Sequence, residues 1–220
     1  MRRFRSNPAV GVTNQIISRS LPWLKKYVNN QKLLPNIDDH LGCGSFGCVY
    51  GTDIPEIVVK VTADERQKWE LNSSHIEVIQ EILPHQPIPG LAFFYDVTMA
   101  PHALDTNWFF VWRERVERVG ECPEDLIQLA VDVQDLTDAV TNHWRPNYGP
   151  LWRSAWVDLH RRYPHIAEGF AHCVELGWGL SDIGHKNIGW NGSEWVIFDP
   201  LFNKVNKQNA TMLLKLIENA

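Results

Sequence analysis

The chain has 220 residues, 44% of them hydrophobic and 21% charged, which is enough apolar material for one large domain or two small lobes. Its formal net charge of −5 gives no electrostatic footprint for nucleic acid or an acidic membrane surface, and no apolar run nears the ~20 residues of a membrane span. Four cysteines (Cys43, Cys48, Cys122, Cys173) show no C-x-x-C pair or metal-ligand spacing, and the nine histidines form no H-E-x-x-H pattern, so a cytoplasmic protein with reduced thiols is expected. Arg2, Arg3 and Arg5 read as a solvated terminus rather than a targeting peptide, and the sequons at Asn72, Asn191 and Asn209 as chance.

In chain order, Ile16, Ile17, Leu21, Leu24 and Val28 recur at helical spacing around Pro22, which predicts a helical extension within 1–38. Strands follow at 39–50 and 55–62. The first contains Leu41-Gly42-Cys43-Gly44-Ser45-Phe46-Gly47-Cys48-Val49-Tyr50, with three glycines at G-x-G-x-x-G spacing. That spacing alone also opens dinucleotide-binding helices. Here the next segment is Ile57-Val58-Val59-Lys60-Val61, a second strand. A helix is predicted from Asp64 to Leu83, stopped by Pro84, then a loop at Pro87, Pro89 and Gly90, then strands at 91–98 and 107–116.

From Pro123 the pattern is helical, with Leu126, Leu129, Ala130, Val133, Leu136 and Val140 on one stripe. Asp125, Asp132, Asp135 and Asp138 fall mainly off it and are read as a solvated face, with an acidic docking face as the alternative. A loop at 144–151 precedes helices at 151–162 and 165–176, separated by Pro164. A loop at 180–187 leads to strands at 188–191 and 194–198, joined by the Asn191-Gly192 hairpin signal, and a last helix spans 207–219. The expected class is α+β with antiparallel sheet.

The glycine segment followed by a lysine-bearing strand resembles the nucleotide-covering hairpin of the protein-kinase fold. Asp182-Ile183-Gly184-His185-Lys186-Asn187, a hairpin, and then Asp199 are similar to the catalytic loop and metal-binding aspartate of the same family. The resemblance implies a bilobal domain: an N-lobe over 39–116 and a reduced helical C-lobe over 117–220. It implies that Leu41, Gly42, Gly44, Ser45, Phe46, Gly47 and Val49 cover ATP and that Lys60 pairs with its α/β phosphates. It further implies that Glu114 and Arg115 lie in the hinge whose backbone reads the adenine edge, that Asp182 is the catalytic base, and that Asn187 and Asp199 hold Mg²⁺. Lys60 is expected to have a carboxylate partner, Glu77 first, with Glu70 and Glu81 as alternatives.

Departures from the pattern bear on function. Leu180-Ser181 replaces the usual His-Arg before Asp182, Gly184 stands where a lysine is common, and Asp-Phe-Gly becomes Asp199-Pro200-Leu201. His185 or Lys186 is left to supply positive charge, and Pro200 stiffens the strand end. The pattern looks most like small atypical kinases of bacterial or phage type and aminoglycoside-phosphotransferase-like enzymes. The first reading is an ATP- and Mg²⁺-dependent protein Ser/Thr kinase. A small-molecule kinase, and a pseudokinase-like module that binds a nucleotide or partner without catalysis, are the alternatives. The implied partner is a phosphoacceptor, protein or small molecule, with neither nucleic acid nor membrane involved.

Overall fold

Val58, Val59 and Val61, and the run Trp108-Phe109-Phe110-Val111-Trp112, are β-branched or aromatic and nearly continuous in hydrophobicity, as suits strands covered on both faces. All are buried. In the computed structural model, which describes residues 35–44, 47–63, 75–103, 106–118, 124–141 and 149–218, these segments are two of the three inner strands of a five-stranded antiparallel sheet. Its strands are β1 (Ile37–Gly44), β2 (Gly47–Thr52), β3 (Ile57–Ala63), β4 (Phe94–Ala103) and β5 (Thr106–Glu114), in the order β1-β2-β3-β5-β4. The helical extension expected within 1–38, up to residue 34, and Ser45, Phe46, Glu70 and Cys122 lie outside the described residues.

The architecture is α+β. Among the described residues, those up to 63 and those within Phe94–Arg115 form one compact unit, and those within Glu70–Phe93 and Val116–Ala220 form a second. In the first unit Asn36 pins the start of β1: its backbone N–H and side-chain amide donate to the two carboxylate oxygens of Asp53 at 2.9 and 2.8 Å. The thiols expected to be free at Cys43 and Cys48 are instead joined as a disulfide. Cys43 and Cys48 are directly opposed across the hairpin, with Cα atoms 4.0 Å apart, and cross-strand opposition is what brings two sulfurs within bonding reach. Cysteine spacing does not reveal that register.

The second unit begins with α1 (His75–Ile82), shorter on the described residues than the predicted 64–83 helix, and a 3₁₀ turn over Leu83–His85 at Pro84. Then come β6 (Glu117–Arg118), α2 (Glu124–Thr141), α3 (Gly149–Arg162), α4 (Pro164–Glu175), β7 (Trp178–Ser181), β8 (Ile188–Trp190), β9 (Trp195–Ile197), β10 (Leu201–Lys204) and α5 (Lys207–Ile217). The predicted stripe of α2 is buried as expected, and the helix packs on α3, β7 and α5. Pro164 separates α3 from α4. The Asn191-Gly192 signal marks a hairpin, closed by Asn191 Oδ1 accepting from the Ser193 and Glu194 amides, both at 3.0 Å. Asn209 is buried and donates to Ala139 O at 3.1 Å, so its side-chain amide is engaged in the core.

Three expectations change. Residues 75–93 belong with the second unit rather than with a lobe spanning 39–116. Trp178 Nε1 donates to Glu81 at 3.1 Å, Ala92 N to Ile197 O at 2.9 Å, and Ile197 N to Gly90 O at 2.8 Å. Gly169 lets Pro89 lie against α4, because a Cβ there would stand 1.7 Å from Pro89 O. Second, part of the predicted 180–187 loop is strand: β7 ends at Ser181 and pairs with β10. Third, Asp132 is buried, accepts from Gln128 at 2.9 Å and pairs with Arg162, so it is not part of a solvated face, whereas Asp125, Asp135 and Asp138 are exposed. No helix among the described residues is long and apolar enough to cross a membrane.

Burial raises the Asp132 carboxyl above its ordinary 3.8, opposed by the Gln128 hydrogen bond and the Arg162 charge. A carboxyl whose folded pKa lies above its unfolded one stabilises the fold in acid and loses that contribution as pH rises through the folded value. Removing Arg162 strengthens the effect. Arg162→Ala is therefore expected to cost about 3 kcal/mol near neutral pH, more than Asp132→Asn, and the penalty should shrink below the raised Asp132 value. Urea denaturation across a pH series measures both differences.

Candidate functional site

The glycine hairpin sits at the end of the first unit's sheet. Gly44 and Gly47 are paired, closing β1 and β2 around positions 45–46. Gly47 has a structural reason of its own: a Cβ there would lie 2.3 Å from Val61 O on β3. Gly42 differs, since an added Cβ would meet nothing within 4 Å. Leu41, which the resemblance assigns to nucleotide covering, is 46% exposed.

Lys60 is 5% exposed in the middle of β3. It is directly opposite Val49 on β2 and Val111 on β5, and Val111 is opposite Val97 on β4. Opposed residues share a face, so Lys60 rises from a valine-lined row that begins at the glycine hairpin. A lysine is almost never this buried unless its ammonium has a partner. The predicted hinge also lies in this unit. Glu114 ends β5 opposite Ile57, and the Arg115 amide donates to Glu56 O at 2.7 Å. That donor is therefore committed to the turn before β3.

In the second unit the predicted Asp182, Asn187 and Asp199 are brought together by strand ends. Ser181 on β7 is paired with Leu201 on β10, so Asp182 and Pro200 are each the next residue beyond that pair. Ile188 on β8 is paired with Ile197 on β9, and Phe198 N donates to Asn187 O at 2.9 Å, so Asp199 follows directly after the residue bonded to Asn187. Asn187 Nδ2 donates to Asp182 O at 2.8 Å, and Gly184 N donates to the same carbonyl at 2.9 Å. Asp182 has φ of 55°, the one non-glycine with positive φ among the described residues. That conformation is uncommon outside glycine, asparagine and aspartate, and such outliers cluster at functional sites. Asp182 is exposed and Asp199 half-buried.

The chemistry of this set is oxygen-rich. With its amide nitrogen turned to Asp182 O, Asn187 keeps Oδ1 as an acceptor, and Asp199 adds a carboxylate. Hard oxygens of this kind suit Mg²⁺. His185 and Lys186 are exposed on the short 3₁₀ turn His185–Asn187, while Leu180 and Ser181, in place of the usual His-Arg, are buried in β7. Of the carboxylates proposed to face Lys60, Glu81 accepts from Trp178. Glu77 is half-buried on α1.

Two features escape a reading of spacing. One is the β7–β10 pair, because Trp178-Gly179-Leu180-Ser181 is only four residues long, holds a glycine and has no β-branched residue. The other is a cluster of His40, Cys43 and Cys48, whose ligand atoms all lie within 4.8 Å of one another. Its signal in the sequence is a histidine three residues before the first of two cysteines that straddle a glycine turn.

Gly47→Ala should lower stability by about 1–3 kcal/mol through the clash with the Val61 carbonyl, whatever the hairpin binds. A thermal melt in the absence of nucleotide measures it; an unchanged melting temperature would show that β3 does not approach Gly47 this closely. The chain matches no protein-family model and no curated protein.

Proposed function

We propose that the chain is an ATP- and Mg²⁺-dependent phosphotransferase. The observation that carries this reading is the convergence of Asp182, Asn187 and Asp199 at the ends of two strand pairs, in a loop held by its own hydrogen bonds. Phosphoryl transfer asks little covalent chemistry of a protein and much positioning of charge. Lys60, buried beside the glycine hairpin, supplies a fixed cation suited to α/β phosphates. The resemblance assigns Glu77 to it first, with Glu70 and Glu81 as alternatives.

Asp182 orients the acceptor hydroxyl and takes its proton as the bond to phosphorus forms. Its positive φ and the two donors on its carbonyl hold the carboxylate's backbone in place before substrate arrives. Asn187 Oδ1 and Asp199 are the residues that would hold Mg²⁺, which when bound neutralises charge on the phosphate oxygens. Pro200, with fixed φ, leads directly into β10, so the position of Asp199 is set by the sheet rather than by a mobile segment.

A protein Ser/Thr hydroxyl is the acceptor implied by the glycine-hairpin resemblance. A small-molecule hydroxyl is the second reading. It is favoured by one observation: the residues after Asp199 enter β10 and α5, with Phe202, Ala210 and Leu213 buried, which leaves 201–217 in the unit's own core rather than in a peptide-docking segment.

The test is transfer of label from γ-labelled ATP with Mg²⁺ to a generic protein substrate and to a panel of hydroxylated small molecules. The wild type should transfer label, and Asp182→Ala should lose about 10²–10⁴-fold in rate. Asp199→Ala should lose transfer as well, with partial recovery at raised Mg²⁺. ATP binding without transfer to any acceptor would replace this reading with a nucleotide-binding module.

A further inference from the structure

We infer that the glycine hairpin carries a redox-gated metal site, in which Cys43, Cys48 and His40 take a thiophilic divalent cation such as Zn²⁺ once the disulfide is reduced. The inference does not rest on the phosphotransfer reading.

Strand geometry makes the cluster. Residues 40 and 43 on a regular strand point to opposite faces, because their separation is odd. Here the register shifts between His40 and Gly42: His40 is opposite Tyr50 while Gly42 is opposite Val49, so two steps on β1 match one on β2. This bulge resets the alternation and turns His40 to the side of Cys43. His40 Nε2 then lies 3.2 Å from Cys43 Sγ, and Cys48 Sγ completes a set within 4.8 Å. The imidazole is backed by the buried Tyr50 ring, with centroids 5.2 Å apart, which limits its orientations.

The donor set selects the cation class. Two thiolates and a neutral imidazole match the soft-to-borderline ligands of zinc and neutralise a 2+ charge. Cys48 is fully buried, whereas Cys43 and His40 are exposed, so the site has a wall in the core and an open side where water serves as the fourth ligand. Disulfide and metal are mutually exclusive. Two low-molecular-weight thiols, such as glutathione, reduce Cys43–Cys48 by successive exchange and leave as one disulfide. The cation then displaces the two thiol protons. Cys173 does not compete: it is buried away from solvent, with its thiol pushed up to about 12 by desolvation.

The probes are Zn²⁺, competed against a chromophoric chelator, and Co²⁺, read by its thiolate-to-metal charge-transfer absorption. The whole chain is reduced with a phosphine and desalted without oxygen, and circular dichroism is recorded alongside. A single Zn²⁺ should bind each reduced chain with the sheet signal retained, and none should bind the oxidised chain. Cys43→Ser and His40→Ala, both at exposed positions, should each weaken binding by at least about tenfold, the lower end of what even outer-shell partners contribute. Absence of metal on the reduced chain at micromolar Zn²⁺, equal binding by oxidised chain, unchanged affinity in either variant, or loss of the sheet signal on reduction would each overturn the proposal.

Discussion

The pairing of β7 with β10 is the constraint on which the second unit's chemistry depends. Ser181 and Leu201 are opposed across it, so the nineteen residues between them form one closed loop whose two ends meet. Closing a loop costs entropy that must be offset elsewhere. Thr137 on α2 donates its hydroxyl to Leu180 O, Ser181 Oγ donates to Leu201 O at 3.4 Å, and Val205 and Asn206 donate to the carbonyls of Gly177 and Val140. Leu180 and Phe202, neighbours on the ladder, are buried. The ladder is therefore anchored to α2 on both strands, and Asp182 and Asp199 inherit that rigidity from the residues beside them.

Within the closed loop, the β8–β9 hairpin does the second half of the positioning. Its Ile188–Ile197 pair is extended by the Phe198–Asn187 hydrogen bond, and Ile197 also bonds to the strand-like segment at 90–92. Asn187 is held from both sides: its carbonyl accepts from Phe198 and its side chain donates to Asp182. An asparagine at this position thus serves the loop's structure, and in the proposed reading its Oδ1 faces the cation. In the first unit Gly47 is required by the approach of β3, and the resemblance also assigns it to covering phosphates.

Much of this was legible in the residues. Proline and glycine punctuation set the limits of α3, α4 and the β8–β9 hairpin, and the Leu126–Val140 stripe predicted the buried face of α2. What was not legible depends on tertiary partners. Asp132 reads as a solvated carboxylate until Arg162, thirty residues on, is known to reach it. Leu180 and Ser181 read as the start of a loop because the strand character of β7 comes from its pairing with β10. The His40–Cys43–Cys48 cluster depends on a bulge, and a one-residue shift in register leaves no mark on spacing. Of the candidate site, Lys60, Asp182, Asn187 and Asp199 were picked out by the resemblance of their order and spacing to protein-kinase motifs, while the burial of Lys60 and the convergence of the other three come only from the tertiary structure.

The central claim, that these residues serve a magnesium nucleotide, is tested most directly by thermal unfolding of the wild-type chain with ATP, with and without Mg²⁺. A ligand that binds only the folded state stabilises it by an amount that grows with the logarithm of its concentration, reaching about 2.7 kcal/mol at one hundred times Kd. The account predicts a concentration-dependent rise in melting temperature with MgATP that falls when Mg²⁺ is chelated. A melting temperature that does not move at millimolar MgATP would contradict it.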